Sequence, residues 1–287
     1  MPEGVTFGRL SFTVCIAMAL RVGILTGNDL RHRYFVNAVA AHFDVVAVGC
    51  QNVAYQPEDA ARRPTNARTT EILRHHFDER RRQEDSFFGH QADFRDSTER
   101  CVRSLDPDSL NGMETVQFLE NRRVDVVLIY GTDLIKPPLL DRFAGCTINM
   151  HLGLSPYYRG TATNFSPLVN DEPEYVGATI LLLDPGIDSG PIIHHARPDI
   201  VAEDLPHTVG CKAILAGIEK VIQALGEFET GELATVPQWK PPDAKLYLRK
   251  DYHPSQVVKL YELIEAGLFP NYVARKKTVQ DAFRLIP

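Results

Sequence analysis

The chain has 287 residues, of which 44% are hydrophobic and 24% are charged, and its formal net charge is -6 at pH 7. This composition supports a large hydrophobic core and excludes global disorder. An acidic chain is also a poor candidate for non-specific binding to nucleic acid, because such binding depends on clustered lysine and arginine.

The five cysteines are far apart in the sequence and form no Cys-x-x-Cys pair. We therefore expect free thiols in a reducing cytoplasm and no zinc site. No apolar segment approaches the roughly 20 residues that a membrane helix needs, so no membrane contact is predicted. The sequence does not predict an oligomeric state, and a homodimer is compatible with it.

The N-terminal region contains a weakly apolar run, residues 10–26, that resembles a short signal peptide. The run continues directly into the first predicted strand without a clear cleavage site, which disfavours a signal peptide. Met18 is a competing start of the protein. We expect residues 1–20 to form an extension, residues 21–230 the main domain, and residues 231–287 a short extension packed on the core.

The first elements form a βαβ pattern, with a strand at 22–26, a helix that begins at Asp29 and runs to about residue 42, and a strand at 45–48. This pattern suggests dinucleotide binding, but the glycines do not form G-x-G-x-x-G. No acidic residue ends the second strand either. A nicotinamide cofactor is therefore not predicted.

The next part of the chain is less regular. We predict a loop at 51–66, a helix at 69–83, an irregular stretch at 86–108, and a helix at 109–121 that leads into a strand at 124–130. The helix at 69–83 ends in a run of arginines followed by acidic residues. Such a run is more often a solvated helix face than a phosphate clamp, and we favour the solvated face.

The later elements show clear hydrophobic patterns. They are predicted as a short helix at 138–143, a central strand at 147–152, a helix at 162–170, strands at 176–184 and from 191, a helix at 206–228, a strand at 245–250 and a helix at 254–266.

The central strand carries polar and apolar side chains in alternation, so Asn149 and His151 share one face. Buried amide and imidazole groups cost free energy unless they are hydrogen-bonded, and the pair could simply complete the strand. The position of Asn149 and His151 at the end of the strand favours a ligand-binding site, because parallel sheets bind ligands beyond the carboxyl ends of their strands. A second polar residue, Asp188, lies in a glycine-flanked loop after the next strand.

These three side chains suit acyl transfer to an amine. An amide and a protonated imidazole can donate hydrogen bonds to a developing oxyanion, and a carboxylate can orient the imidazole. Taken alone, His151 would more often be structural, and Asp188 would more often form a turn. Taken together and in this order, they favour catalysis.

The order Asn149-x-His151, Pro156, Arg159-Gly160 and Asp188-x-Gly190 closely resembles that of the folate-dependent formyltransferases. That family includes enzymes that formylate glycinamide ribonucleotide, methionyl-tRNA and sugar nucleotides. The resemblance covers roughly residues 20 to 200. It implies an α/β, Rossmann-like formyltransferase fold with a mostly parallel sheet and helices on both faces, in which 21–230 is the catalytic domain.

The resemblance also implies 10-formyltetrahydrofolate as the donor and no metal. Carried over by position, the catalytic residues are Asn149, His151 and Asp188. Arg159 and Gly160 are candidates for substrate binding, although Arg159 could equally brace its loop. The residues implied in folate binding lie in two loops: Thr132, Asp133, Leu134 and Ile135, and Leu183, Asp184, Gly186 and Ile187.

The sequence departs from the family at Gly153, where serine is frequent, which affects loop contacts rather than the three polar residues. The acceptor is expected to be a small-molecule amine, first of all a nucleotide-linked amino sugar, because the short C-terminal extension and acidic charge disfavour tRNA. The alternatives are glycinamide ribonucleotide, methionyl-tRNA, hydrolysis of formyl-folate, and a non-catalytic folate- or nucleotide-binding module.

Overall fold

A computed structural model describes residues 19–52, 66–99, 101–106 and 108–287. The predictions for Met18, for nearly all of the N-terminal extension and for most of the loop at 51–66 lie outside these residues, as does Cys15. The described strands are β1 (Arg21–Thr26), β2 (Asp44–Gln51), β3 (Val102–Leu105), β4 (Val126–Tyr130), β5 (Thr147–His151), β6 (Tyr158–Gly160), β7 (Ala178–Leu182), β8 (Ile192–Ala196) and β9 (Lys245–Tyr247).

In the described part of the chain, seven strands form one sheet in the order β3-β2-β1-β4-β5-β7-β8. The first five of these strands are parallel, with Ile129 of β4 beside Asn149 of β5. Strand β7 is antiparallel to β5, and β8 is antiparallel to β7. The predicted mostly parallel sheet is therefore confirmed, and β5 separates its parallel part from its antiparallel part.

Helices cover both faces of the sheet. They are α1 (Leu30–Ala40), α2 (Ala67–Phe88), α3 (Asp96–Glu99), α4 (Met113–Asn121), α5 (Leu139–Arg142), α6 (Ser166–Val169), α7 (Pro206–Thr230), α8 (Pro254–Glu265) and α9 (Leu268–Gln280). Alternate residues of β4 reach opposite faces, as strand geometry requires. Leu128 and Tyr130 pack in the core formed with α1 and α7, whereas Val127 and Ile129 pack in the core formed with α4 and α5.

Several predicted elements are wrong in extent. The stretch at 86–108 is not irregular throughout, because α2 continues to Phe88 and both α3 and β3 follow it. Strand β3 has only four residues and half-exposed polar side chains at an edge of the sheet, so its pattern is too weak to predict. The helix predicted at 162–170 is regular only over Ser166–Val169. Strand β6 and helix α9 were not predicted.

The C-terminal residues join the main domain in two ways. Strand β9 pairs with β6 to form a small parallel sheet. Helices α8 and α9 bury Leu260, Phe269 and Tyr272 against apolar residues of α6 and α7. No described helix is both long enough and apolar enough to cross a bilayer.

The close approach of α7 to the sheet depends on Gly217. A Cβ atom there would lie 2.9 Å from both Ala178 Cβ and Met150 Sδ. We expect Gly217→Val to lower the free energy of unfolding by about 1–3 kcal/mol, because a tightly packed core resists added volume. Urea denaturation measures this change.

A matched control lies on the same helix. A Cβ atom at Gly226 would meet nothing within 4 Å. Gly226→Ala should therefore keep or raise the stability by up to about 1 kcal/mol, through helix propensity alone. Equal destabilisation by the two substitutions would contradict the packing argument.

Candidate active site

A cavity of about 1020 Å³ opens at the carboxyl ends of β4 and β5. This is the edge at which open α/β sheets bind ligands. The loop after β4, residues 131–136, lines one side of the cavity, and the loop after β7 lines another. The segment around β9 closes a third side through residues 247–250 and Tyr252.

The three polar residues predicted to act together meet in this cavity. Asp188 Oδ1 accepts a hydrogen bond from Asn149 Nδ2 at 3.3 Å. Asp188 Oδ2 lies 3.3 Å from His151 Nδ1 and accepts a 2.9 Å hydrogen bond from the backbone N–H of Gly160. One partly buried carboxylate therefore connects β5, β6 and the loop after β7.

The loop that carries Asp188 is held in an unusual conformation. Asp188 has φ +47°, a left-handed conformation that aspartate tolerates better than most residues. The side chain of Gln238 stabilises it, because Gln238 Nε2 donates to the carbonyl oxygens of Asp188 at 2.8 Å and Gly190 at 2.9 Å. A residue of the C-terminal extension thus fixes the position of the carboxylate.

The second ring nitrogen of His151 also faces oxygen atoms. His151 Nε2 lies 3.1 Å from the carbonyl oxygen of Tyr158 and 3.3 Å from Thr163 Oγ1. The Thr163 hydroxyl donates its proton to the Leu152 carbonyl, which leaves Thr163 Oγ1 as an acceptor toward the ring. Both nitrogens therefore face acceptors, and an imidazole with two N–H groups can donate on both sides.

The glycine at position 153 fits this arrangement. A Cβ atom at Gly153 would lie 2.6 Å from His151 Nε2 and 2.7 Å from both Cβ and Oγ1 of Thr163. Thr163 thus occupies the space that a larger residue at 153 would need.

The two candidates for substrate binding differ in position. Gly160 lines the cavity with φ +94°, and a Cβ atom on it would overlap the carbonyl oxygen of Tyr247 in the neighbouring strand β9. Arg159 does not line the cavity, and its Nε atom is buried without a hydrogen-bond partner among the described residues. Substrate binding by Arg159 therefore stays a prediction, and its position outside the cavity lining does not support it.

All four residues predicted in the first folate loop, Thr132 to Ile135, line the cavity. Gln51 at the end of β2 fixes the loop, since its side chain accepts from the Asp133 N–H at 2.9 Å and donates to Asp133 Oδ2 at 2.7 Å. Arg249 forms an ion pair with the same carboxylate from the opposite wall.

In the second predicted loop, Leu183, Gly186 and Ile187 line the cavity, but Asp184 does not. Asp184 Oδ1 instead accepts hydrogen bonds from the Gly186 N–H at 3.0 Å and from Ser189 Oγ at 2.8 Å. Its position suits a role in shaping the loop rather than in contacting a ligand.

The interpretation of the charged helix as a solvated face is wrong for two residues. Arg80 and Glu84 of α2 point inward and line the cavity, with side chains 17% and 15% exposed. Glu84 Oε1 accepts from Arg80 Nε at 2.9 Å and from Arg31 Nη1 at 2.8 Å. These two arginines hold the pKa of Glu84 below its usual value despite burial.

Two further histidines line the same part of the cavity. His76 of α2 and His207 of α7 approach within 3.2 Å through Nδ1 and Nε2. Burial lowers the pKa of His76 well below its usual value and that of His207 to about 3, so both rings are neutral at pH 7. Across the described residues, no group of three or more His, Cys, Asp and Glu side chains could hold a metal ion.

The chain belongs to the formyl transferase family, because the model of that family, described as "Formyl transferase", matches residues 40–225. Two methionyl-tRNA formyltransferases show the similarity in sequence. The protein from Thermodesulfovibrio yellowstonii is 33% identical over 44% of this chain and 43% of its own length. The protein from Burkholderia pseudomallei is 38% identical over 44% of this chain and 38% of its own length. The match thus spans about two fifths of these relatives.

Solved structures show the fold. A phosphoribosylglycinamide formyltransferase from Anaplasma phagocytophilum has a TM-score of 0.53 at 16% identity, with 80% of this chain and 99% of that chain covered. A sugar N-formyltransferase from Shewanella sp FDAARGOS_354 also has a TM-score of 0.53, at 14% identity, with 84% and 87% covered. The expected Rossmann-like formyltransferase fold is confirmed.

The contact between Gly153 and Thr163 predicts an energetic coupling. Gly153→Ser should lower the free energy of unfolding by about 1–3 kcal/mol, because the new side chain overlaps Thr163 and His151. Adding Thr163→Ala should recover part of this loss. A double-mutant cycle from urea denaturation measures the coupling. Strictly additive effects of the two substitutions would contradict the contact.

The position of Gln238 predicts a local effect on the Asp188 loop. Gln238→Leu removes two hydrogen bonds and keeps most of the side-chain volume, so the loop at 185–190 should open more often. We expect amide hydrogen exchange there to rise about tenfold. Gln223→Leu, on the exposed face of α7, is the control and should leave this loop unchanged.

Proposed function

We propose that the protein transfers a formyl group from 10-formyltetrahydrofolate to the primary amine of a small molecule. The observation that carries this proposal is the convergence of Asn149, His151 and Asp188 in one cavity with the loop at 132–135. The membership of the formyl transferase family supports the same chemistry.

The cavity is large for a ligand site. Ligand pockets commonly measure about 300–1,000 Å³, and the cavity of about 1020 Å³ lies at the upper end of that range. Apolar side chains of Ile129, Ile135 and Leu183 line the part nearest the two predicted folate loops. This apolar lining suits the flat ring of a folate. The folate, when bound, would supply the formyl group.

The polar residues then have distinct roles. Asn149 donates one amide hydrogen to Asp188, and its second amide hydrogen is donated to the formyl oxygen as negative charge develops there. Protonated His151 donates to the same oxygen. Its contact with Asp188 is 3.3 Å long, above the 2.7–2.9 Å usual for charge-assisted hydrogen bonds, so it can be exchanged when a ligand binds.

The acceptor amine forms a bond to the formyl carbon, and the bond from that carbon to N10 of the folate breaks. Asp188 orients both donors and takes part in moving the proton that the amine releases to N10 of the departing tetrahydrofolate. The Asp188 carboxylate contacts Asn149, His151 and Gly160 at the same time. A bound ligand that displaces one of these contacts leaves the other two in place. This role depends on the loop conformation that Gln238 stabilises.

For the acceptor we propose an amino sugar linked to a nucleotide. The net charge of -6 disfavours a polyanionic acceptor such as tRNA. Methionyl-tRNA is the second candidate, since the relatives matched in sequence are methionyl-tRNA formyltransferases.

Asn149→Ala and His151→Ala should each lower the turnover of formyl transfer by about 100- to 1,000-fold, because each removes a donor to the developing oxyanion. Asp188→Asn removes the charge beside His151, so it should lower turnover as well. The absorbance of the folate product measures turnover with a panel of amines. His42→Ala, at an exposed position, is the control.

Activity like that of the unsubstituted protein in the Asn149 or His151 variant would refute these roles. Formate release without any amine would identify a hydrolase instead. Folate binding without turnover of any amine would identify a binding module.

A further inference from the structure

Gly153 and Thr163 meet at the nitrogen of His151 that does not face Asp188. Gly153 follows the end of β5, and Thr163 lies between β6 and α6. Thr163 is 2% exposed, and its Oγ1 lies 3.3 Å from His151 Nε2. A Cβ atom at Gly153 would lie 2.6 Å from this nitrogen and 2.7 Å from Thr163 Oγ1. The glycine therefore leaves the space in which the ring and the hydroxyl come together.

The hydrogen bonds around His151 Nε2 have one consistent direction. The carbonyl oxygen of Tyr158 lies 3.1 Å away, and a carbonyl oxygen can only accept, so Nε2 carries a proton. The Thr163 hydroxyl proton is donated to the Leu152 carbonyl, so Thr163 Oγ1 presents a lone pair to the same N–H. One N–H of the ring is therefore shared by two acceptors.

The backbone on both sides of Thr163 is fixed by long-range contacts. The Thr161 N–H donates to the backbone of β9 at 2.8 Å, and Asn164 Oδ1 accepts from the Gly177 N–H at 2.9 Å. Between them, Ala162 has φ +56°, a left-handed conformation that alanine keeps only where the surrounding structure imposes it. The Thr163 hydroxyl is therefore held in place independently of the histidine ring.

The two ends of the His151 ring are thus held differently. At one end, Nδ1 faces Asp188 across 3.3 Å, a contact that a ligand can exchange. At the other end, the Tyr158 carbonyl alone would let the ring turn about a single N–H···O axis, and the Thr163 hydroxyl supplies a second fixed point. Supporting contacts of this kind keep a reacting side chain in a productive orientation.

We propose that Thr163 is a positioning residue for His151. Its hydroxyl holds the Nε2 end of the ring, so that the Nδ1 end keeps its direction while the contact with Asp188 is exchanged for one with a ligand. The inference rests on the proposed formyl transfer, in which protonated His151 donates to the formyl oxygen. It assigns the orientation of that donor to a residue outside the three polar side chains that meet in the cavity.

The test uses Thr163→Val, which removes the hydroxyl and keeps the shape of the side chain. We expect the kcat of formyl transfer to fall about three- to tenfold at unchanged KM, because a hydrogen bond to the donor ring is lost and no contact with a ligand is. Thr163→Ser keeps the hydroxyl and should keep most of the turnover. The matched control is Thr115→Val, since Thr115 is a buried threonine that donates to the Ser109 carbonyl at 2.7 Å and does not line the cavity.

A second measurement needs no turnover. In the full chain labelled at its histidine ring nitrogens, NMR follows the exchange of the His151 Nε2–H with water, which reports how often its hydrogen bonds open. We expect Thr163→Val to raise this exchange rate about three- to tenfold relative to Thr163→Ser. Urea denaturation should show that Thr163→Val and Thr115→Val both fold and lose similar stability.

Three results would overturn the proposal. The first is an unchanged kcat in Thr163→Val. The second is a lower kcat with unchanged exchange of the Nε2–H, which would mean that Thr163 only supports its own loop. The third is a higher KM at the same kcat, which would make Thr163 a ligand contact instead.

The two proposals fail separately. Exchange of the His151 Nε2–H that depends on Thr163, without formyl transfer to any amine, would refute the proposed function and support the positioning of the ring. Formyl transfer that proceeds equally well in Thr163→Val and in the unsubstituted protein would support the function and refute the role of Thr163.

Discussion

The site depends on one carboxylate. Asp188 accepts hydrogen bonds from Asn149 and from the backbone of Gly160 and faces His151, so a single side chain connects three segments that are distant in sequence. Its backbone is held in a left-handed conformation by Gln238. The geometry of the donors therefore depends on a loop conformation that is unfavourable by itself and is stabilised from outside.

The sheet explains why these segments meet. Parallel strands place β4 and β5 side by side with their carboxyl ends together, whereas antiparallel β7 ends beside Ile148. The loop after β7 then reaches back along β5, where Asp188 contacts Asn149 and His151. The side chains of β4 then point alternately to the two faces, so Ile129 lines the cavity from the face covered by α4 and α5, and Tyr130 from the face covered by α1 and α7. A single strand end thus serves two chemically different parts of the cavity.

Much of this arrangement could be predicted from the sequence, and the reasons for the rest are physical. The alternation along β5 places Asn149 and His151 on one face because strand geometry is periodic. Gln238, Gln51 and Thr163 could not be predicted, because each acts through contacts with residues far away in sequence. The inward position of Arg80 and Glu84 could not be predicted either. A charged helix sequence is typical of a solvent-exposed face, and the packing of α7 against α2 is not evident from the sequence.

The pairing of β6 with β9 has a further consequence for how such chains diversify. The region shared with the family ends at residue 225, yet Gln238, Tyr247 and Arg249, which support or line the cavity, come after it. The catalytic side chains and some of the residues that support and surround them are therefore encoded in separate stretches of the gene. Exchange of the terminal stretch alone would change both the entrance to the cavity and the support of the Asp188 loop.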